Sequence, residues 1–170
     1  MSVSKQLKSY LDGQHVVYEA IHHSPHYTAQ QIAADTHTPG REFAKTVFLK
    51  VDGKDVIAVL PAHHRVNCEK LCQELGAGEV RLETEAEIHD TMEAHHIEGE
   101  LGAIPPFGNL YDMPVYTSRA LVEDERITFN AGTHEDVIRI RFEDFERLVH
   151  PRVIDFSKLA DDPQQHRAEE

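Results

Sequence analysis

The sequence predicts a single-domain α/β fold, in which a mixed sheet of parallel and antiparallel strands carries packed helices. Three observations predict it. Two β-rich runs, residues 45–51 and 56–60, are joined by Asp52-Gly53-Lys54-Asp55, a hairpin signal that requires antiparallel pairing. Other strand-like runs are interleaved with helical ones, and such insertions permit parallel pairing. The 170 residues, 40 % of them hydrophobic, suit one domain with a sizeable core, and neither a repeat nor a dividing linker interrupts them.

Taken in order, Val3, Leu7, Tyr10 and Leu11 recur at helical spacing over residues 3–12. Residues 15–20 (HVVYEA) form a short strand candidate. Thr28-Ala29-Gln30-Gln31 reads as a capping box, so a second helix starts at Thr28. After the breaker Pro39-Gly40 comes the hairpin, whose second strand stops at Pro61. Asn67 can cap a helix with Val66, Leu71, Cys72 and Leu75 on its inner side. Residues 79–82 make a brief strand, and the capping box at Thr84-Glu85-Ala86-Glu87 opens a helix running to about His95. A loop dense in glycine and proline follows over 99–108, then strands at 115–117 and 126–130. Over 137–142, Ile138, Ile140 and Phe142 alternate with Arg139 and Arg141, the period of a half-buried strand. A last helix spans 142–149, and the domain is expected to occupy 1–156, with 157–170 a polar, frayed tail.

Composition narrows the function. Seventeen basic against 30 acidic side chains give a net charge of −13, which argues against a broad face for duplex DNA but allows a small basic pocket for one nucleotide end. Mean hydropathy is −0.48 and no apolar run approaches the ~18 residues of a membrane span, so a cytoplasmic protein with no membrane partner is expected. Cys68 and Cys72 lie four apart on a helix and supply at most half a zinc site. The thirteen histidines cluster at 22–26, 63–64 and 95–96 without a His-Glu-x-x-His helix, so no metal and no cofactor are expected.

There is no nucleophile elbow, no phosphate-binding Gly-Lys-Ser/Thr loop and no dinucleotide fingerprint. Two features remain. Lys45 stands at the entrance of a buried strand, either with its head in water or as a cation bordering a site. In the loop, Pro105 and Pro106 have fixed φ, and the flanking Gly102 and Gly108 reach conformations closed to other residues. Such a segment is either a rigid surface turn or a frame that aims its amides, those of Ala103, Ile104, Phe107 and Gly108, at one oxyanion.

In their order and spacing, Ala44-Lys45-Thr46-Val47, Gly102-Ala103-Ile104-Pro105-Pro106-Phe107-Gly108 and Phe129-Asn130-Ala131-Gly132-Thr133 resemble the YbaK / prolyl-tRNA-synthetase-associated domain family of aminoacyl-tRNA deacylases. Val59-Leu60-Pro61-Ala62 and Val115-Tyr116 fit as well, and the likeness covers roughly residues 15–150. The resemblance implies a trans-editing hydrolase that cleaves the ester between a wrong, small amino acid (alanine, serine or cysteine) and the 3′ end of tRNA, without metal. It implies that Lys45 is the essential cation, and that Thr46, the Gly102 to Pro106 loop (Gly102, Ala103, Ile104, Pro105, Pro106) and Gly132 bind substrate. The histidine that some relatives carry near the later strand is matched by His134, otherwise an ordinary surface histidine. An aminoacyl-tRNA synthetase is the implied delivery partner. The alternatives are a non-catalytic module of the same fold that binds a tRNA end or a nucleotide, a metal hydrolase built on the histidine clusters, and a regulatory protein-binding domain.

Overall fold

The computed structural model describes residues 4–23, 33–34, 36 and 38–160. Helix α1 (Lys5–Gly13) is capped by Ser4, whose hydroxyl accepts from the Leu7 amide, and buries Leu7 and Leu11. The strand expected at 15–20 begins later, as β1 (Glu19–His22), because the helix end takes up the intervening residues. His15 turns into the left-handed region at φ 56° and the Val16 amide returns to the Leu11 carbonyl. The helix expected from Thr28 lies outside the described residues.

The hairpin is β2 (Ala44–Val51) and β3 (Lys54–Pro61), in register from Ala44 opposite Pro61 to Val51 opposite Lys54. Only Asp52 and Gly53 form the turn, with φ of 49° and 81°, so Lys54 and Asp55 belong to β3 rather than to the connection. Then come β4 (His64–Val66), α2 (Cys68–Leu75) capped by Asn67, β5 (Val80–Leu82) and α3 (Glu85–Ala94) with the full Thr84/Glu87 capping box. After the loop and a short 3₁₀ turn lie β6 (Val115–Ser118), α4 (Arg119–Val122), β7 (Arg126–Asn130), β8 (Asp136–Arg141) and α5 (Phe142–Val149). Two short strands follow, β9 (Arg152–Ile154) and β10 (Ser157–Leu159). Ser157 to Leu159 pair antiparallel with β4, so the start of the expected polar tail is part of the fold.

The main sheet has the order β5-β2-β3-β6-β9. It is mixed: β2 is antiparallel to both β3 and β5, while β6 is parallel to β3 and to β9. A second antiparallel sheet, β1-β8-β7, joins it through a bridge between Phe43 and Thr128. β3 sits in the middle and reads as a continuous buried run, since both of its faces are covered. Ile57 and Val59 face the larger core with Phe107, Phe129, Ile138 and Phe145; Val56, Ala58 and Leu60 face a smaller one with Leu71 of α2 and Phe156.

Candidate functional site

β5 pairs only with Leu49 to Val51 of β2, and the Glu83 amide adds one bond, 3.0 Å, to the Phe48 carbonyl. At the other end Phe43 bridges to Thr128. Between these points, among the described residues, the outer edge of β2 is uncovered from Ala44 to Val47. Peptide groups of alternate residues face the same side of an antiparallel strand. The Phe48 carbonyl faces β5, so the N–H and C=O of Thr46 face the open side.

A cavity of about 220 Å³ occupies this window. Thr46, Val47 and Phe48 form one wall, Leu82, Glu83 and Ile88 a second, and Leu101, Gly102 and Ile104 a third. The strand and the glycine-proline loop therefore meet across one hollow. Thr46, Gly102 and Ile104 line it directly. Ala103, Pro105 and Pro106, though buried, are not part of its walls.

The loop is held from behind by the turn after β7. The Gly132 amide donates to the Ala103 carbonyl at 2.9 Å, and the Glu100 amide donates to the Gly132 carbonyl at 2.8 Å. His134 closes the clasp: its Nε2 donates to the Leu101 carbonyl at 2.8 Å, and its backbone amide donates to the Glu100 carboxylate at 3.0 Å. Buried at 8 % exposure, His134 is not an ordinary surface histidine. Gly132 and His134 thus support the loop rather than line the cavity. Gly102 has φ of 82°, a left-handed conformation that glycine takes without strain. Gly108 is required for another reason: a Cβ there would lie 2.4 Å from Val115 Cγ2 and 2.6 Å from the Met113 carbonyl oxygen. Of the amides expected to converge, that of Ala103 is committed to the Glu100 carbonyl at 3.0 Å. Among the described residues the amides of Gly102 and Ile104, both on the cavity wall, donate to no protein group.

Lys45 is placed differently from Thr46. Ala44 and Phe48 pack in the larger core and Val47 and Leu49 in the smaller, so alternation sends Thr46 toward the cavity and Lys45 to the reverse face. There Lys45 is half-buried and, among the described residues, has no carboxylate partner. Burial, with the charge of Arg65 adding to it, holds its ammonium below the usual lysine range.

Glu83 was not singled out from the sequence. Its side chain is fully buried, accepts from Thr91 Oγ1 at 3.0 Å, and lies 3.8 Å from Lys50 Nζ. Burial, reinforced by the neighbouring Asp55 carboxyl, pushes it up to about 7. Lys50 and Asp55 form an ion pair beside it, with His95 Nε2 3.5 Å from Asp55. The one signal was position, an acid between a strand and a capping box. Among the described residues no three histidine, cysteine, aspartate or glutamate side chains are grouped so as to hold a metal. No helix of the described residues is long and apolar enough to cross a membrane.

A model of the aminoacyl-tRNA editing domain matches residues 23–148, a span that holds the strand, the loop and the clasp. The chain belongs to the aminoacyl-tRNA editing domain family. This editing domain is 31 % identical over 109 residues to a proline–tRNA ligase of Staphylococcus epidermidis, covering 64 % of the chain and 18 % of the ligase. It is 34 % identical over 77 residues to that of Staphylococcus aureus strain Newman, covering 45 % of the chain and 13 % of the ligase. The chain thus spans less than a fifth of the length of either ligase. Among solved structures it is similar to a hypothetical protein, APE2540, with TM-score 0.78 at 17 % identity, covering 91 % of this chain and 100 % of the other. It is also similar to a candidate trans-editing enzyme for prolyl-tRNA synthetase, with TM-score 0.75 at 17 % identity, covering 92 % and 99 %. At such identity these structures bear on the fold of the editing domain, a mixed α/β sheet with packed helices.

Proposed function

We propose that the protein is an aminoacyl-tRNA deacylase acting in trans, which hydrolyses the ester between a small amino acid of the alanine, serine or cysteine class and the 3′ end of tRNA. The observation that carries this reading is the cavity between Thr46 and the Gly102–Ile104 loop in a chain of the editing family. At about 220 Å³ it falls below the ~300–1,000 Å³ of ordinary ligand pockets, so it suits a side chain of few heavy atoms. Exclusion by stiff walls separates substrates better than attraction does, because one methylene changes binding by only ~1–3 kcal/mol.

An aminoacyl ester is already activated, so water can attack its carbonyl without a covalent protein nucleophile. The unused amides of Gly102 and Ile104 and the peptide of Thr46 are the donors for the developing oxyanion. Collapse of the tetrahedral intermediate breaks the bond to the ribose oxygen, which leaves as the hydroxyl of the tRNA end with the proton from water. The amino acid is released as its carboxylate, and the second proton of the attacking water passes to solvent. Lys45 holds the terminal nucleotide in register. The reaction as proposed uses no metal. The kinship with proline–tRNA ligases supports tRNA as substrate and a synthetase as delivery partner, and such work is done in the cytoplasm.

The test is a panel of mischarged tRNAs offered to the wild type and to Lys45→Ala. Turnover of the small aminoacyl esters is expected, with a loss of about 10²–10³-fold in the variant and an unchanged fold. Wild-type protein that binds the tRNA end but releases no amino acid would replace this reading with the non-catalytic module.

A further inference from the structure

We infer that the groove between α1 and β1 is a second ligand site, which takes the phosphate monoester of a small hydroxyl-bearing molecule such as a sugar phosphate. The groove shares no lining residue with the cavity beside Thr46.

Its walls come from a polar stripe and a strand. Lys5, Lys8, Ser9 and Asp12 recur at i, i+3, i+4 and i+7, so they share one face of α1, while Leu7 and Leu11 bury the other. Tyr18 and Ala20 face them from β1 and the segment before it. Asp136 stands beside the start of the helix, where the Ser4 amide donates to the Ala131 carbonyl and the Ala131 amide donates to the Asp136 carbonyl. The space enclosed is about 640 Å³, within the ~300–1,000 Å³ of ordinary small-molecule sites.

The donors in this groove are unused and the acceptors are engaged. Among the described residues, the ammonium groups of Lys5 and Lys8 and the hydroxyl of Ser9 have no hydrogen bond or ion pair. Asp12 Oδ1 accepts from the Tyr18 hydroxyl at 2.7 Å. Asp136 Oδ2 accepts from Thr133 Oγ1 at 2.7 Å, and its Oδ1 lies 2.9 Å from His22 Nδ1. The hydrogen bond to Asp136 holds the His22 imidazole above its ordinary pKa, and His22 shares a face of β1 with Ala20. Two free ammonium groups with an imidazolium near them suit an anion, and charge-assisted contacts to phosphate oxygens are the strong ones.

The ligand is larger than a bare phosphate. A lone phosphate would leave most of the groove empty, and the carboxylates of Asp12 and Asp136 at its two ends repel a polyanion. Asp12 Oδ2 accepts nothing among the described residues, so a hydroxyl of the ligand finds its acceptor there. The half-buried ring of Tyr18 supplies an apolar side for the carbon skeleton.

The test titrates the full chain with ribose 5-phosphate at an ionic strength of about 0.15 M, where long-range attraction between exposed charges is largely screened. Calorimetry and the imidazole resonance of His22 follow binding. Saturable binding is expected for the wild type. The double variant Lys5→Gln/Lys8→Gln, at exposed helix positions that glutamine suits, should bind about tenfold or more weakly, and Lys45→Ala should bind as the wild type does. No saturation by the wild type, or equal affinity in the double variant, overturns the site. A loss in Lys45→Ala places the ester at the editing cavity instead and overturns it too. Ribose without its phosphate should not bind, and equal binding of ribose overturns the ligand class. A dinucleoside monophosphate, which carries only a phosphodiester, tests the other source of this chemistry. If it binds more tightly than ribose 5-phosphate and depends on Lys5 and Lys8, the groove serves an RNA backbone and the free ester is overturned. None of these measurements involves turnover, so each stands whether or not the protein deacylates tRNA.

Discussion

The imidazole Nε2 of His134 lies 2.8 Å from the carbonyl oxygen of Leu101, joining two segments 33 residues apart in sequence. A carbonyl only accepts, so Nε2 carries the proton in this contact. The bond aims the loop at the cavity without touching what the cavity holds. His134→Ala is expected to lower kcat for deacylation about 10–100-fold while KM changes less, because a small displacement of the loop amides costs transition-state contacts first. His134→Gln, which keeps a donor on a side chain of similar reach, should recover part of the loss. A purely structural role would lower the melting temperature in both variants without separating kcat from KM.

Gly102 and Gly108 bracket the same loop but fail differently when changed. Gly102→Ala imposes a side chain at φ 82°, yet its Cβ meets His134 Cε1 only at 3.4 Å. The expected cost is about 1–2 kcal/mol, with activity suffering more than stability because the residue lines the cavity. Gly108→Ala drives a methyl to 2.4 Å from Val115 Cγ2, inside the core, so overpacking of about 1–3 kcal/mol or more is expected. At this chain length that is a fall of roughly 3–10 °C in melting temperature. Calorimetry and deacylation measured on both variants check the contrast, and equal effects on the two would contradict it.

The acidic chain should contact few phosphates. With a net charge of −13 it is expected to repel the body of tRNA, so the proposed substrate is gripped mainly at its single-stranded end, near Lys45. Two or three phosphate contacts to a single strand give a slope of about −1.4 to −2.1 for log kcat/KM against log salt. A slope several times steeper would mean a broad basic footprint that the composition does not provide.

The hairpin, both capped helices after it and the run of β8 into α5 were legible in the sequence because each is fixed by local chemistry. Asp52-Gly53 supplies the two positive φ values, Thr84 and Glu87 supply reciprocal caps, and the alternation at 137–142 fixes one face. What the sequence hid depends on pairing between distant segments. β10 is three residues of ordinary polarity that become a strand only against β4. β1 is displaced because His15 adopts a left-handed turn, which no periodicity reveals. At the site, the motifs located the strand and the loop, but not that neighbouring Lys45 and Thr46 serve opposite faces of one sheet. Nor could spacing turn His134 from a surface residue into the clasp, since its partner carbonyl at Leu101 carries no signature.

Glu83 gives the protein a pH signature of its own. Its carboxyl is fully buried against Thr91, beside Asp55 and Lys50, with His95, the residue after α3, facing Asp55. Burial and the Asp55 carboxyl raise it from an ordinary value near 4.5 to about 7 in the folded protein. Between those values the folded state keeps the proton that the unfolded chain has released. Stability from this group therefore falls as pH rises from about 4.5 and levels off above about 7. Glu83→Gln keeps the shape and an acceptor for Thr91 but has no charge to bury, and Lys50 retains Asp55. Urea unfolding at pH 5 and pH 8 should show Glu83→Gln gaining on wild type by roughly 1–3 kcal/mol at the higher pH. Because Glu83 also forms a wall of the cavity, the same substitution should flatten any dependence of deacylation on pH between 5 and 8 that tracks a single ionisation. Parallel stability curves for the two proteins across that range would mean that the carboxyl ionises in the folded state as it does in the open chain, and that the cavity wall carries a full negative charge at neutral pH.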